Sequence, residues 1–591
     1  MTFQLLEHQK RSGEKVYRYY SLAEPYREAG KNKKRVLAHL GVLSLDQVAR
    51  IRQSLRIAAN PDVQLLDPLS VVCNKTWGYL DVSVFHQLWK QLGLGQLIES
   101  GRGDVELEKL LEILVINRAT APRSKLGVTR WYGTTALDRI LKISMESIEE
   151  NRIYRCLSDI ESWHQRIEAY IFDKLIRPQD PSASSLYFYD LSSSYFEGTS
   201  VPCAAFSEHS KDHRPDRMQV VLGLLINETG LPFSWDLFKG NQGDAPTLTA
   251  QLEKFKTRFN LKKALLVFDR GFLSHENLKA VEVSGYEYLT GLDSPQIRDI
   301  LSFTGNDSLK TMNLENAQDL ISQAPGWKRL DETGFYRACG LINHRKTILL
   351  FDVDRYRGVV LRRQKKIEDF KKWVIEYNKE LAKFKKHALR SAVEKKINKR
   401  LAKRGLDQYV GFDLHGYTTE NVVFQRRKNN PYPSQKYQKK VKSFQVVTQE
   451  KKVDTLDGFF ALITSEKSDL TAEQMVQVYR QKYLIESAFR EMKSILKLRP
   501  WFVYKETHVR AHYTICVLAY LLERQIDLLL EKNGLKEKGW TVGRLKEQLS
   551  QYRLVELGIG DKTRTILQKI PTELKELLKT LKLNAALSLP L

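Results

Sequence analysis

The chain has 591 residues, 42% of them hydrophobic and 10% aromatic, which is enough for several cored domains and excludes a disordered chain. Its formal net charge is +25, from 95 basic and 70 acidic residues, and an excess of this size favours a polyanionic partner. No run of about 18 apolar residues occurs. The N-terminus (MTFQLLEHQKRSGEK) lacks the apolar core of a signal peptide. Nucleic acid is therefore preferred over membrane, and the cytoplasm is the expected location. The cysteines (Cys73, Cys156, Cys203, Cys339, Cys516) are scattered without metal-finger spacing and read as reduced thiols.

Residues 1–60 read as a small mixed module. Residues 16–22 (VYRYYSL) are strand-like, residues 30–35 (GKNKKR) a basic turn, and residues 44–57 an amphipathic helix. Such a basic loop suits either a phosphate backbone or open solvent. Residues 61–180 form a mostly helical region, with apolar residues at three- and four-residue spacing over 84–94, 105–116 and 149–175. Basic and aromatic residues interleave at Arg123, Lys125, Arg130, Trp131 and Tyr132, which suits DNA-end recognition or dimerisation.

The pattern changes at Pro181 to the first part of an α/β core, residues 181–291. Residues 185–191 (SLYFYDL) read as a buried strand in which Leu186, Phe188 and Asp190 share one face. A buried carboxylate is costly unless it is paired or holds a metal. Residues 217–227 and 231–238 read as a hairpin turning at Glu228-Thr229-Gly230. A helix follows from Pro246, then an apolar strand, ALLVF, that runs straight into Asp269. Asp269 alone is as well explained as a turn cap. Glu197, Asp212, Asp236 and Asp244 read as turn or surface acids, and His209 and His213 as hydrogen-bonding groups rather than ligands.

Residues 292–456 break the α/β rhythm and read as an inserted domain. Residues 335–353 are strand-rich, and residues 359–404 are free of Gly and Pro and read as long helix. Ile367, Phe370, Val374, Tyr377, Leu381, Phe384 and Ala388 form a coiled-coil-like seam. From Arg362 to Arg404 there are 17 basic and 5 acidic residues, which suggests an arm lying along DNA. Residues 457–533 return to the core with a buried strand (DGFFALIT), a helix and a long apolar helix. Residues 534–591 read as a C-terminal helical region.

The helix in that second part carries Tyr479, Lys482, Glu486, Arg490 and Lys493 at three- and four-residue spacing on one face, opened by a Thr471/Gln474 capping box. Alone, this face is better explained as solvated ion pairs. Beside Asp190 and Asp269 it becomes the third side of a carboxylate cluster. Such a set suits hard divalent ions about 4 Å apart, Mg²⁺ above all, working on a phosphodiester.

These residues resemble the DDE insertion-sequence transposases with the YREK signature, in their large-transposase branch. Tyr479, Glu486 and Lys493 match in register, whereas Lys482 stands at the arginine position and lacks its planar fork. Asp190 in LYFYDLSSSYFEG and Asp269 in LLVFDRGFLS resemble the first and second acids. The resemblance implies an α/β multidomain chain with an RNase H-like mixed sheet, interrupted by an insertion and preceded by a mainly helical region. It implies cut-and-paste transposition by strand cleavage and strand transfer, through a hairpin intermediate. Asp190, Asp269 and Glu486 would be both catalytic residues and ligands of two Mg²⁺ ions, with Mn²⁺ able to substitute. Tyr479, Lys482 and Lys493 would bind DNA, and helical phase adds Arg490. The implied partners are double-stranded DNA (terminal inverted repeats and target) and a second subunit, with no membrane, in a bacterial or archaeal cell. In relatives an insertion aromatic stacks on a flipped base, and Trp327 and Trp373 lie in that span. The rival readings are an RNase H-like nuclease without strand transfer and a non-catalytic DNA-binding protein on the same fold.

Overall fold

The computed structural model describes residues 3–12, 15–28, 30–58, 71–97, 106–179, 185–207, 212, 214–303, 311–383, 390–415, 421–422, 437–438, 445–450, 456–559 and 562–588. The chain divides into two compact units, one built from residues 1–88, 126–148 and 533–591, the other from 89–125 and 149–532.

The first unit opens with strands β1 (Gln4–Ser12), β2 (Lys15–Glu28) and β3 (Lys31–Gly41), which form one antiparallel sheet, and helix α1 (Leu45–Ala58). The basic stretch expected to be a turn is a strand. The chain reverses between Glu28 and Lys31, where Gly30 stands at φ 77°, and the basic residues after it pair across to β2, with Lys33 reaching Glu28 and Arg35 reaching Glu24. Strand β4 (Val71–Gly78) follows. Helices α2 (Leu80–Gln91), α3 (Leu107–Thr120), α4 (Lys125–Tyr132), α5 (Leu137–Leu141), α6 (Glu150–Ser162) and α7 (His164–Ile171) fill the span read as helical; α3, α6 and α7 belong to the second unit.

The second unit is organised on a nine-stranded sheet. Its strands, in chain order, are β5 (Ser185–Tyr195), β6 (Gln219–Asn227), β7 (Pro232–Lys239), β8 (Ala264–Phe268), β9 (Glu287–Gly291), β10 (Lys328–Arg329), β11 (Gly334–Ile342), β12 (Arg345–Asp352) and, after the helical hairpin, β17 (Phe459–Ser465). Helices α8 (Ala245–Thr257), α9 (His275–Val283), α10 (Ser294–Phe303) and α11 (Ala317–Gln323) lie between them. The spatial order is β10-β11-β12-β17-β9-β8-β5-β6-β7. Strands β5, β8 and β9 run parallel, whereas β5, β6 and β7 form an antiparallel meander. Strands β10 to β12 fall in the span expected to form an insertion, yet they extend this same sheet through the β12–β17 ladder.

Helices α12 (Val353–Lys383) and α13 (Arg390–Arg404) make the basic hairpin, whose seam residues Ile367, Phe370, Val374, Tyr377 and Leu381 pack on Val393, Ile397 and Leu401. Phe384 and Ala388 lie outside the described residues. Strand β13 (Val410–His415) pairs with β16 (Gln445–Glu450), and the short β14 (Asn421–Val422) with β15 (Tyr437–Gln438).

Helices α14 (Ala472–Arg480), α15 (Tyr483–Ser494) and α16 (Glu506–Lys532) complete the unit. Almost every residue of α16 from His508 to Glu523 is buried, as a helix wedged against a sheet requires. Its Tyr513 and Tyr520 hydroxyls donate to the carbonyls of Gly223 and Gly230, and Thr514 accepts from Trp235 Nε1. The last residues return to the first unit as α17 (Val542–Leu549), β18 (Arg553–Ile559), β19 (Lys562–Leu567) and α18 (Thr572–Thr580). The expected helices are there, but so is a hairpin that short-range periodicity did not reveal: β18 is completed only by pairing with β4, nearly 500 residues away in sequence.

Candidate active site

Parallel pairing of β5 with β8 sets the first two acids side by side. Tyr189 is level with Phe268, the last pair of the ladder, so Asp190 within β5 and Asp269 just past the end of β8 each follow one of these paired residues. Asp190 accepts the backbone N–H of Leu191 at 2.8 Å. Asp269 leaves β8 and caps a short 3₁₀ turn, Arg270–Phe272, accepting the Arg270 N–H on Oδ1 at 2.9 Å. The turn-capping reading therefore holds for one oxygen, and the other faces Lys482.

The helix expected over residues 471–493 is two helices. Thr471 and Gln474 form the reciprocal capping box of α14, and the chain tightens at Gln481 and Lys482 before α15 begins. There i→i+3 bonds replace the α-helical pattern, Lys482 N–H to Tyr479 O at 3.1 Å and Leu484 N–H to Gln481 O at 2.9 Å. Tyr479 thus lies in the last turn of one helix, while Lys482 caps the next.

This break puts the Lys482 ammonium at the acids. It lies 3.0 Å from Glu486 Oε1 and 3.8 Å from Asp269 Oδ2, with its side chain only 10% exposed. Burial alone would lower its pKa, but Asp190, Asp269 and Glu486 together outweigh that and raise it, so the side chain stays charged. Asp269 and Glu486 are about half exposed, so the cluster opens to solvent, where a polymer strand has access. Burial first, then the charges of Asp269 and Glu486, hold the Tyr479 phenol above its ordinary pKa. Gly291, at the end of β9, makes room for that phenol, because a Cβ there would lie 3.2 Å from Tyr479 Oη.

Lys493 points elsewhere. It meets Asp212 Oδ1 at 3.0 Å, while Arg499 meets Oδ2 at 2.8 Å. Arg499 and Arg214 both lie over the Tyr195 ring, at 4.9 and 5.0 Å. Asp212, a surface turn by its sequence, has a side chain only 9% exposed that ties down two cations. No sequence signal marks that role, since its partners lie 281 and 287 residues downstream. Arg490 stays exposed on α15, with no side-chain partner among the described residues, and nothing brings it to the acids.

The other candidates are placed as follows. Asp244 abuts Gly271, where a Cβ would lie 2.4 Å from its Oδ2. Glu197 pairs with Arg217 and Asp236 with Lys254. Trp327 is buried edge-on to Phe459, and Trp373 stacks on Tyr377, so both rings are engaged within the protein. His209 and His213 lie outside the described residues. Below the site, Arg118 donates to the Leu496 and Lys497 carbonyls, and His512 Nε2 lies 3.0 Å from the Leu498 carbonyl. These contacts fix the turn that follows α15.

Among the described residues no group of three His, Cys, Asp or Glu is close enough to hold a metal ion in the form seen. The donor chemistry nevertheless fits one: Asp190, Asp269 and Glu486 offer hard carboxylate oxygens alone, and one cation already bridges two of them.

A family model described as the transposase DDE domain matches residues 190–522, more than half the chain. The chain belongs to the DDE transposase family. Residues 6–60 match the N-terminal domain of IS1634 family transposases, so the two matches together place this transposase among those of insertion sequences. The match to the DDE domain begins at Asp190 and encloses Asp269, Glu486 and the helical hairpin. No curated protein matches the transposase. Among solved structures, a piggyBac transposase synaptic complex with hairpin DNA aligns over 80% of this chain and 76% of its own, at 10% identity. Its TM-score of 0.33 is too low to establish a common fold. No helix among the described residues is long and apolar enough to cross a membrane.

Proposed function

We propose that the transposase cuts and pastes an insertion sequence, with Asp190, Asp269 and Glu486 as its catalytic carboxylates. The observation that carries this reading is one ammonium, Lys482, shared by carboxylates from a strand end and a helix, with the charge of Asp190 on the neighbouring strand also acting on it. Half of the sheet supports an RNase H-like core, because the order β7-β6-β5-β8-β9, antiparallel and then parallel, is the order such a core has. The three carboxylates would hold two Mg²⁺ ions, and Mn²⁺ would serve in their place. When bound, these ions supply water activation and charge neutralisation at the scissile phosphate.

The chain's own residues do the rest. Tyr479, held beside Asp269 by the space at Gly291, offers a phenolic hydrogen bond to a phosphate oxygen. Lys482 neutralises the cluster until DNA and metal arrive. Lys493 and Arg499, pre-positioned by Asp212, present two donors along the strand beyond the cut, and Arg490 reaches the same strand from the exposed side of α15. The set Tyr479, Lys482, Glu486 and Lys493 serves as the YREK signature with lysine in the second place. A homodimer holds the two element ends together, and the basic hairpin α12–α13 lies along the flanking DNA.

The test is a duplex carrying both element ends, incubated with Mg²⁺. Cleavage at the end followed by joining to a second duplex is expected, with a hairpin on one product. Cleavage without joining would replace this reading with a nuclease. No cleavage, with binding retained, would replace it with a DNA-binding protein.

A further inference from the structure

The N-terminal sheet separates its charges by face. Strand alternation and the ladder register place Glu7, Arg18, Tyr20, Leu22, Glu24, Tyr26, Glu28, Lys33 and Arg35 on one face. Every carboxylate of the sheet is there, and each is paired: Glu7 with Arg18 and with Arg52 of α1, Glu24 with Arg35, Glu28 with Lys33. The Glu7–Arg52 contact sets α1 on that side, where Tyr20 and Val48 are buried.

Among the described residues the opposite face carries no carboxylate. Across its three strands stand His8 and Lys10, then Tyr17, Tyr19, Ser21 and Arg27, then Asn32, Lys34 and His39. Ser21 Oγ and His39 Nδ1, 2.9 Å apart, confirm the shared side. Its only fully buried members are Ser21 and Ala23, small residues hidden by larger neighbours, while Tyr17 is 44% and Tyr19 37% exposed. Among the described residues, Lys10, Arg27 and Lys34 form no ion pair.

A surface with cations at its rims, exposed phenols, hydrogen-bonding groups and the exposed Val36 across its middle, and no anion among the described residues, matches what a β-sheet reader needs to sit in a DNA groove. There the cations meet phosphates and the central polar groups meet base edges. Charge complementarity thus selects the occupant.

We propose that this outer face of β1–β3, centred on Tyr19 and Ser21 and rimmed by Lys10 and Lys34, docks in the groove of double-stranded DNA. The assignment deepens the transposase reading and rests on it for the origin of the duplex.

The experiment uses the full chain and a labelled 30-bp random-sequence duplex, with anisotropy read across a range of salt. Lys10→Ala with Lys34→Ala should weaken binding about 10-fold or more and reduce the salt slope by about 2. Arg18→Ala with Lys33→Ala removes equal charge from the other face and should change binding less than 3-fold. Lysine acetylation of the unmodified protein gives a readout without variants: Lys10 and Lys34 should be protected by the duplex, and Lys33 should not. Equal losses from both faces, unprotected Lys10 and Lys34, or tighter binding of a single strand than of the duplex would each overturn the proposal. A protein that cleaves element ends while this face stays unprotected would sink the docking and keep the transposase. Protection without any cleavage would do the reverse.

Discussion

Two of the basic regions of this transposase hold their cations in opposite ways. Along α14 and α15 both cations of the signature set are already engaged: Lys482 by Glu486 and Asp269, Lys493 by Asp212. On the outer face of the N-terminal sheet, Lys10, Arg27 and Lys34 form no ion pair among the described residues. Engaged cations gain little from a distant polyanion but are fixed to within an ångström, which serves positioning at a reacting phosphate. Unpaired, exposed cations are loose but contribute fully to counterion release, which serves capture. One region should therefore govern rate and the other affinity.

Asp190→Asn or Glu486→Gln should lower Mg²⁺-dependent cleavage of element-end duplex by about 10³-fold or more, with duplex affinity within about 3-fold. Normal cleavage by either variant in a single-turnover assay would remove the site assignment. Lys493→Ala should cost about 10²-fold in single-turnover rate through misplacement of the strand, with the salt slope unchanged. If instead affinity falls and rate holds, Lys493 belongs with the capture group.

A third kind of cation sharpens the contrast. Lys125 is buried against His512 Nδ1 at 3.3 Å, and burial above all, with help from Arg118, pushes its pKa down to about 7. The unfolded chain therefore binds the extra proton between about pH 7 and the ordinary lysine value near 10.5, and stability rises with pH across that window, flat on either side. Lys125→Met should flatten that rise and stabilise the protein at pH 7 by about 2 kcal/mol, read by denaturant melts. A melt that rises as steeply as the parent's would assign the slope to another group. The smallest effect is expected at Lys482. Lys482→Ala leaves Asp269 and Glu486 facing each other and should cost about 1 kcal/mol in EDTA, since both acids are half exposed. Mg²⁺ should recover more stability in this variant than in the parent, and equal recovery in thermal melts would mean the ammonium and the metal do not share a place.

Much of this was legible in the sequence because it is local. The apolar run before Asp269, the Thr471/Gln474 capping box and the seam of α12 from Ile367 to Leu381 each rest on residues within a few turns of one another, and each appears as expected. What was hidden depends on contacts across the chain. The break at Gln481 is invisible to helical phase, yet it carries Lys482 to the acids. Residues 31–35 look like a turn until β2 supplies the partner strand. Asp212 looks like a surface residue until Lys493 and Arg499 close on it from the far end of the core. Arg490 shows the limit of reading by helical phase, since it shares the expected face and meets none of the acids.

The central claim is that Asp190, Asp269 and Glu486 jointly hold divalent metal. It is tested most directly by replacing Mg²⁺ with Fe²⁺, adding ascorbate and peroxide, and mapping where the polypeptide is cut. Cuts clustered near residues 190, 269 and 486, suppressed by excess Mg²⁺ and lost in Asp190→Asn, are the predicted result. Cuts elsewhere, or cuts at these places that neither Mg²⁺ nor Asp190→Asn alters, would contradict it.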